Sequence, residues 1–328
     1  MVDHLFEGSN VSKIGLGTWQ LGLKGWGSGY EESELVDGLR NGIKNGLNFI
    51  DTAEIYGMGK SENLVGEAIR EFDRRQFFIA TKLAGFNASA KRVKKSLTNS
   101  LNRLNLDYID LYQVHWEPSV YTSIPELFLE LEKALKEGMI KHIGVSNFSA
   151  ESIEKANNSM KESKVESNQI KFNLVERPNS KLLDFMMENN MKLIAWSPLA
   201  QGFLSGKYSA GNRPTGSVRR INRLFSTSNF EKFSPLHTEL NRISEERKIS
   251  IVQLVLAYEK HLGVLPIPGF RNTKQVNEII SANSIILSPE EITSIETALR
   301  MSGPIETSVG FYPRFLPNFI ARLGFLFI

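Results

Sequence analysis

The chain has no cysteine, which excludes disulfides, thiolate nucleophiles and cysteine-ligated metal centres. Only five histidines are present, so a histidine-rich metal site is not expected and no metal is assigned. No stretch reaches the roughly 20 apolar residues that a membrane-spanning helix needs. The opening MVDHLFEGSN has no basic run followed by an apolar one, the pattern of an export signal. A soluble, cytoplasmic protein is therefore expected. A strong charge of either sign is also missing: 39 basic residues face 36 acidic ones, and the net +3 does not announce a nucleic-acid partner. The glycine fingerprint of a dinucleotide-binding doubly wound sheet is not satisfied. Gly15, Gly17 and Gly22 precede a long loop instead of opening a helix.

The chain does carry an ordinary globular balance, 41% apolar and 23% charged, over 328 residues, a length that one large domain can fill. No linker or shift of composition divides it. Short runs rich in Ile, Leu, Val, Phe and Tyr fall at 14–17, 48–51, 77–82, 108–115, 141–145, 166–170, 192–196 and 263–267. Strands buried on both faces of a parallel sheet read this way. Between them lie segments with helical periodicity at 34–45, 62–72, 91–104, 124–136, 150–160, 181–190, 250–261 and 273–282, with Ser61 as the expected N-cap of the second. Two further helices are expected at 235–247 and 289–301, and a long loop at 205–229. Eight strand–helix units in succession predict a closed (β/α)8 barrel, with a doubly wound sheet as the alternative.

Chemistry in such a barrel sits where strands end. Asp51 ends the second strand, Tyr56 follows in its loop, Lys82 ends the third and His115 the fourth. Each alone has an ordinary structural reading: a turn cap, a packed ring, a solvated cation, a core imidazole. Together they make chemical sense. A phenol is a weak acid, with a reference pKa of about 10. An ammonium from Lys82 is expected to lower that value, Asp51 to hold the ammonium, and His115 to orient a carbonyl. None of the four carries a hydride, so a nicotinamide cofactor is required.

GLNFIDTAEIYGMGKSENLVGEAI closely resembles the signature of the aldo-keto reductases around their catalytic Asp and Tyr. IATK, DLYQVHW, IKHIGVSNFS, WSPLAQGFLSGKY and IPGFRNTKQVNEI resemble later motifs of that family in the same order. The likeness runs from about Lys13 to Ala282 and is nearest to the branch of bacterial general-stress oxidoreductases and potassium-channel β subunits. It implies NADP(H)-dependent reduction of a small carbonyl compound, with Asp51, Tyr56, Lys82 and His115 catalytic.

For the cofactor the resemblance implies Thr18, Trp19, Asp51, Ser146, Asn147, Gln169, Trp196, Ser197 and Pro198. Leu199, Gln201, Gly202, Leu204 and Lys207 would border the pyrophosphate. Gly269, Arg271, Gln275 and Glu278 would lie at the adenosine end, where Arg271 would read the 2′-phosphate. Ser146 and Asn147 read equally well as helix caps, and Trp196 as barrel core. Trp19, Tyr56, His115 and Trp116 would line the substrate mouth, with Trp26 nearby. Ile279 and Glu117 depart from the family pattern. A cofactor-binding regulatory subunit with slow turnover is the alternative function. An isomerase or aldolase using Lys82 as a Schiff base ranks below it. After Met301 the chain becomes apolar and aromatic, ending FLPNFIARLGFLFI. This tail is expected to fold back near the substrate opening. A subunit interface comes second and membrane association third, since Arg314 and Arg322 are the only cations of its last 18 residues.

Overall fold

A computed structural model describes residues 6, 9–22, 31–214 and 222–307. Trp26, Arg219, Arg220 and the tail after Thr307 lie outside the described residues.

Eight strands form one parallel sheet in chain order: Leu16–Gly17, Phe49–Asp51, Phe78–Leu83, Ile109–Val114, Ile140–Ser146, Ser167–Lys171, Lys192–Trp196 and Leu265–Pro266. The last strand returns to the first. Gly15 and Gly17 donate backbone bonds to the carbonyls of Pro266 and Pro268 at 2.9 and 3.0 Å, and Gly17 bridges Gly269 in parallel. Closure of the sheet leaves no exposed edge, and the doubly wound alternative is excluded.

Alternation along each strand divides the apolar residues between two layers. Phe49, Phe78, Ala80, Leu111, Ile194, Leu265 and Ile267 fill the barrel interior together with Phe6, which stacks on Phe78 at 5.1 Å. The outward set, among them Ile50, Ile79, Tyr112, Val114, Ile143 and Val145, packs beneath the surrounding helices. Burial on both faces is why the strands read as unbroken apolar runs.

The helices Glu32–Lys44, Lys60–Ile69, Ala90–Leu104, Ile124–Lys136, Ala150–Asn157, Ser180–Glu188, Ile251–His261 and Thr273–Ser284 form the ring around the sheet. The two additional ones run Ser234–Arg247 and Pro289–Ser302. Local chemistry sets their starts. Ser250 and Ser288 each complete a capping box, with Gln253 and Glu291, and prolines stand in the first turns at 125, 235 and 289.

Three features differ from the sequence reading. Ser61 does not cap its helix: Gly59 is the N-cap, with no side-chain bond, and Ser61 is fully buried inside the first turn. The 205–229 segment is not plain loop. Its described residues hold the 3-10 turn Arg223–Phe225 and the start of the short helix Thr227–Lys232, whose Phe230 stacks on Phe203 at 4.7 Å. A second sheet pairs Glu176–Pro178 in parallel with Ile305–Thr307.

Candidate active site

Register fixes which side chains meet at the carboxyl ends of the strands. Asp51 pairs with Gly17 on one side and Ala80 on the other, Lys82 with Gln113, and Ser146 with Gln169. Asp51, Lys82, Gln113 and Gln169 thereby form a polar layer above the apolar interior. Lys82 is 0% exposed, and all three of its ammonium protons are engaged. Nζ donates to Asp51 Oδ2 at 2.6 Å, to the Thr52 carbonyl at 2.9 Å and to the Tyr56 hydroxyl oxygen at 3.1 Å. The other Asp51 oxygen, Oδ1, accepts from Gln169 Nε2 at 2.7 Å and from Gln113 Nε2 at 3.4 Å. A charge pair this deeply buried persists only when its remaining lone pairs and protons are satisfied. Here they are.

The Tyr56 ring is walled by other rings. Trp19 stacks on it at 5.4 Å, His115 meets it edge-on at 5.6 Å, and Trp116 lies 4.9 Å from His115. Two backbone crossings bring these groups together. A Cβ on Gly22 would sit 2.3 Å from the Tyr56 carbonyl carbon, and one on Gly57, at φ +60°, would sit 2.3 Å from the Gly22 oxygen. The loops after the first and second strands therefore touch through bare backbone beside Tyr56. Gly85 lies flat under Trp116, whose Nε1 would be 2.1 Å from an added Cβ.

The electrostatics correct one expectation. Burial, and then the Asp51 carboxylate, push the Tyr56 phenol well above its ordinary 10, so the net direction is up and not down. The ammonium beside it does not win against desolvation. Burial draws the Lys82 amine down, opposed first by Asp51 and then by Glu62. Burial, followed by Lys82, holds His115 well below 6.5. The imidazole is neutral at neutral pH. Its Nδ1 is buried with no hydrogen-bond partner among the described residues. Because an orphaned N–H costs more than an orphaned lone pair, the proton belongs on Nε2.

A second set of groups adjoins this one. Trp196 Nε1 donates to Asn147 Oδ1 at 3.0 Å. Asn147 Nδ2 donates to the His115 carbonyl at 3.3 Å and to Ser146 Oγ at 3.0 Å. Ser146 donates to the Gln169 carbonyl at 2.8 Å. Helix capping is not their task, for Ser149 caps Ala150–Asn157 by accepting from Ser152 N. Thr18 donates to the Asp51 carbonyl at 2.8 Å. Past the seventh strand the backbone turns left-handed at Ser197, Ala200, Gln201 and Gly202, with φ between +48° and +101°. Ser197 Oγ is buried without a partner among the described residues. Pro198 is buried, Leu199 half-buried, and Gln201 accepts from Asn222 at 3.0 Å. The Leu204 side chain is fully buried against Phe203 and its neighbours, so only its backbone can border a ligand, while Lys207 is exposed.

At the far end, Gly269 is exposed against Gln20 and Arg271 precedes the helix Thr273–Ser284, which Asn272 caps. Gln275 accepts from the Arg271 backbone at 2.8 Å, and Glu278 is half-buried. Ile279 is 2% exposed in the core beneath this helix and offers no polar contact. Glu117, the other departure, accepts from the Ser149 amide and hydroxyl at 2.8 and 2.6 Å.

Sequence reasoning missed Gln113 and the Thr52 carbonyl. Gln113 was visible in principle: in YIDLYQVH it stands two residues before His115 and two after Leu111, a polar side chain on the inward face of its strand.

A closed parallel barrel with a buried polar layer at the carboxyl ends of its strands belongs to the class of α/β-barrel enzymes. The model of the Aldo/keto reductase family matches residues 13–300, and the chain belongs to that family. An uncharacterised oxidoreductase of Mycobacterium bovis is 36% identical over 315 residues, covering 94% of each chain. An aldo-keto reductase [NADP(+)] of Schizosaccharomyces pombe is 32% identical, covering 88% of each. Among solved structures, an aldo/keto reductase from Klebsiella pneumoniae in complex with NADP and acetate superposes with a TM-score of 0.74 at 28% identity, over 92% of this chain and 96% of that one. No described helix is long and apolar enough to cross a membrane.

Proposed function

We propose that this aldo/keto reductase family member reduces aldehydes or ketones to alcohols with NADPH, and that Tyr56 protonates the carbonyl oxygen. One observation carries the reading: the Tyr56 hydroxyl oxygen accepts a proton of an ammonium that is itself locked to Asp51, all within a ring-walled pocket. Because Tyr56 Oη already accepts from Lys82, its own O–H is free to point outward to a substrate. Burial keeps that proton in place at rest. When it is given up, the phenolate forms 3.1 Å from a fixed ammonium in a low-dielectric site, where the attraction is many times its value in water. His115, neutral and protonated on Nε2, donates a hydrogen bond that polarises and orients the carbonyl. Trp19, Trp116 and the Tyr56 ring exclude water and give the mouth an aromatic, apolar wall.

The residues fit NADP(H). Ser197 supplies an unpartnered buried hydroxyl on left-handed backbone, and Gln201 and Gly202 keep that backbone open to a pyrophosphate. Asn147, Gln169 and Trp196 would hold the nicotinamide. Arg271 at a helix N-terminus suits the 2′-phosphate. When bound, the cofactor supplies the hydride.

Tyr56→Phe tests the proposal. It should retain NADPH binding in a fluorescence titration and lose aldehyde reduction by about 10²–10⁴-fold. Near-normal turnover in that variant would sink the assignment.

A further inference from the structure

Lys82 lies on the inner face of its strand, and Thr81 beside it faces outward to the helix Lys60–Ile69. There the Thr81 hydroxyl donates to Glu62 Oε1 at 2.7 Å. Glu62 is 0% exposed, an expensive place for a carboxylate, and its second oxygen accepts from Arg103 Nε at 2.6 Å. Arg103 reaches it by crossing Gly59, where a Cβ would lie 2.6 Å from Arg103 Cδ. The preceding residue, Ser61, is equally buried. Its Oγ lies 2.8 Å from Thr18 Oγ1 and 2.9 Å from Thr52 Oγ1, and donates to the Thr18 carbonyl at 3.1 Å. Thr18 in turn holds the Asp51 carbonyl, and Thr52 offers its own carbonyl to Lys82. Two consecutive buried polar residues outside the barrel wall thus grip the residues on either side of the Asp51–Lys82 pair.

We propose that Glu62, with Ser61 beside it, is a positioning residue that clamps the strand of Lys82 and supplies a second negative charge to its ammonium through the barrel wall. The charge acts in the same direction as Asp51, favouring the protonated amine. Arg103 offsets part of it. The charged and titratable groups around this path are Asp51, Tyr56 and His115 on the Lys82 side, and Glu54, Tyr112 and Arg103 on the Glu62 side. The proposal rests on the assignment of Tyr56 and Lys82 made above.

The test is the pH dependence of kcat in the full chain, at saturating NADPH, with an aldehyde that the wild type turns over. Glu62→Gln removes charge at nearly constant shape. Its alkaline limb should move to lower pH by about 0.5–1 unit, because an ammonium with one less negative neighbour gives up its proton sooner. Arg103→Met leaves the Glu62 charge less opposed and should move the limb upward. Thr81→Val should lower kcat about fivefold or more with the limb unmoved, as expected for loss of alignment without loss of charge. In all three, the KM for NADPH should stay within about twofold, since none touches the residues assigned to the cofactor. Limbs that do not move in Glu62→Gln and Arg103→Met, or that move the same way in both, would overturn the proposal. Should Glu62→Gln not fold, Arg103→Met and Thr81→Val still decide it. Tyr56→Phe measured alongside separates the two ideas. If it is inactive while the limbs stay put, only the clamp fails; if it is active, the catalytic assignment itself fails.

Discussion

Residues carry the chemistry by being fixed. Lys82 has three donors and three acceptors, so its ammonium cannot rotate, and the one acceptor that also bears a proton is Tyr56. The direction of each pKa shift follows from burial more than from neighbours. A neutral His115 has a consequence for stability. Its folded value lies well below 6.5, so below that pH the unfolded chain binds more protons. The stability it contributes is present above pH 6.5 and is lost as pH falls below it. A His115→Gln variant should therefore lose less stability between neutral and mildly acid pH than the wild type, as read by urea unfolding across that range. Equal losses would mean that His115 is not held neutral.

At the cofactor end, Arg271→Ala should weaken NADPH by about 1.5–3 kcal/mol and NADH much less, since only NADPH presents a 2′-phosphate. Equal weakening of both would remove Arg271 from that role. Asp51, Lys82 and His115 were legible in the sequence because each stands at the end of an apolar run, and Tyr56 because it follows in the loop after one. The sign of the Tyr56 shift was not, because desolvation depends on what closes over the ring. Ser61 reads as a cap because serine is favoured just before a helical run; its contacts with Thr18 and Thr52, just after the first and second strands, reveal its other task.

At the scale of elements, loops after strands are brought to the site by close backbone approach. Gly85 is the clearest case. Gly85→Ala would place a methyl 2.1 Å from Trp116 Nε1 and should destabilise the fold by about 1–3 kcal/mol. By tilting Trp116 away from His115, the same change should raise the KM for aldehyde more than it lowers kcat. An unchanged KM would separate Trp116 from the substrate mouth. Strands and helices were legible to within a few residues, since double burial gives runs and single burial gives helical periodicity. The small sheet of Glu176–Pro178 with Ile305–Thr307 was not, because three-residue strands carry no period. The turn Arg223–Phe225 and the helix that starts at Thr227 were hidden in the same way by polar, glycine-rich neighbours, with Leu224, Phe225 and Phe230 to anchor them.

The whole molecule separates stability from function along the barrel axis. Phe6, Phe49 and Phe78 stack at the amino-terminal end, beneath the polar layer. Phe6→Ala should cost about 3–5 kcal/mol in urea unfolding while leaving kcat of the folded protein near normal. A large fall in kcat would show that the two ends are coupled. Barrel closure was legible from the succession of eight units, but the hydrogen bonds of Gly15 and Gly17 that close it were not, for glycine carries no pattern of its own.

On the reading proposed above, this chain is a carbonyl reductase that turns over. The most direct measurement follows NADPH absorbance while the wild type meets a panel of aldehydes and ketones in large excess, with deuterium on the transferable position of the cofactor. Sustained consumption over many equivalents of enzyme is expected, with deuterium on the carbinol carbon of the product. A burst of about one equivalent that then stalls, or an alcohol free of deuterium, would contradict it.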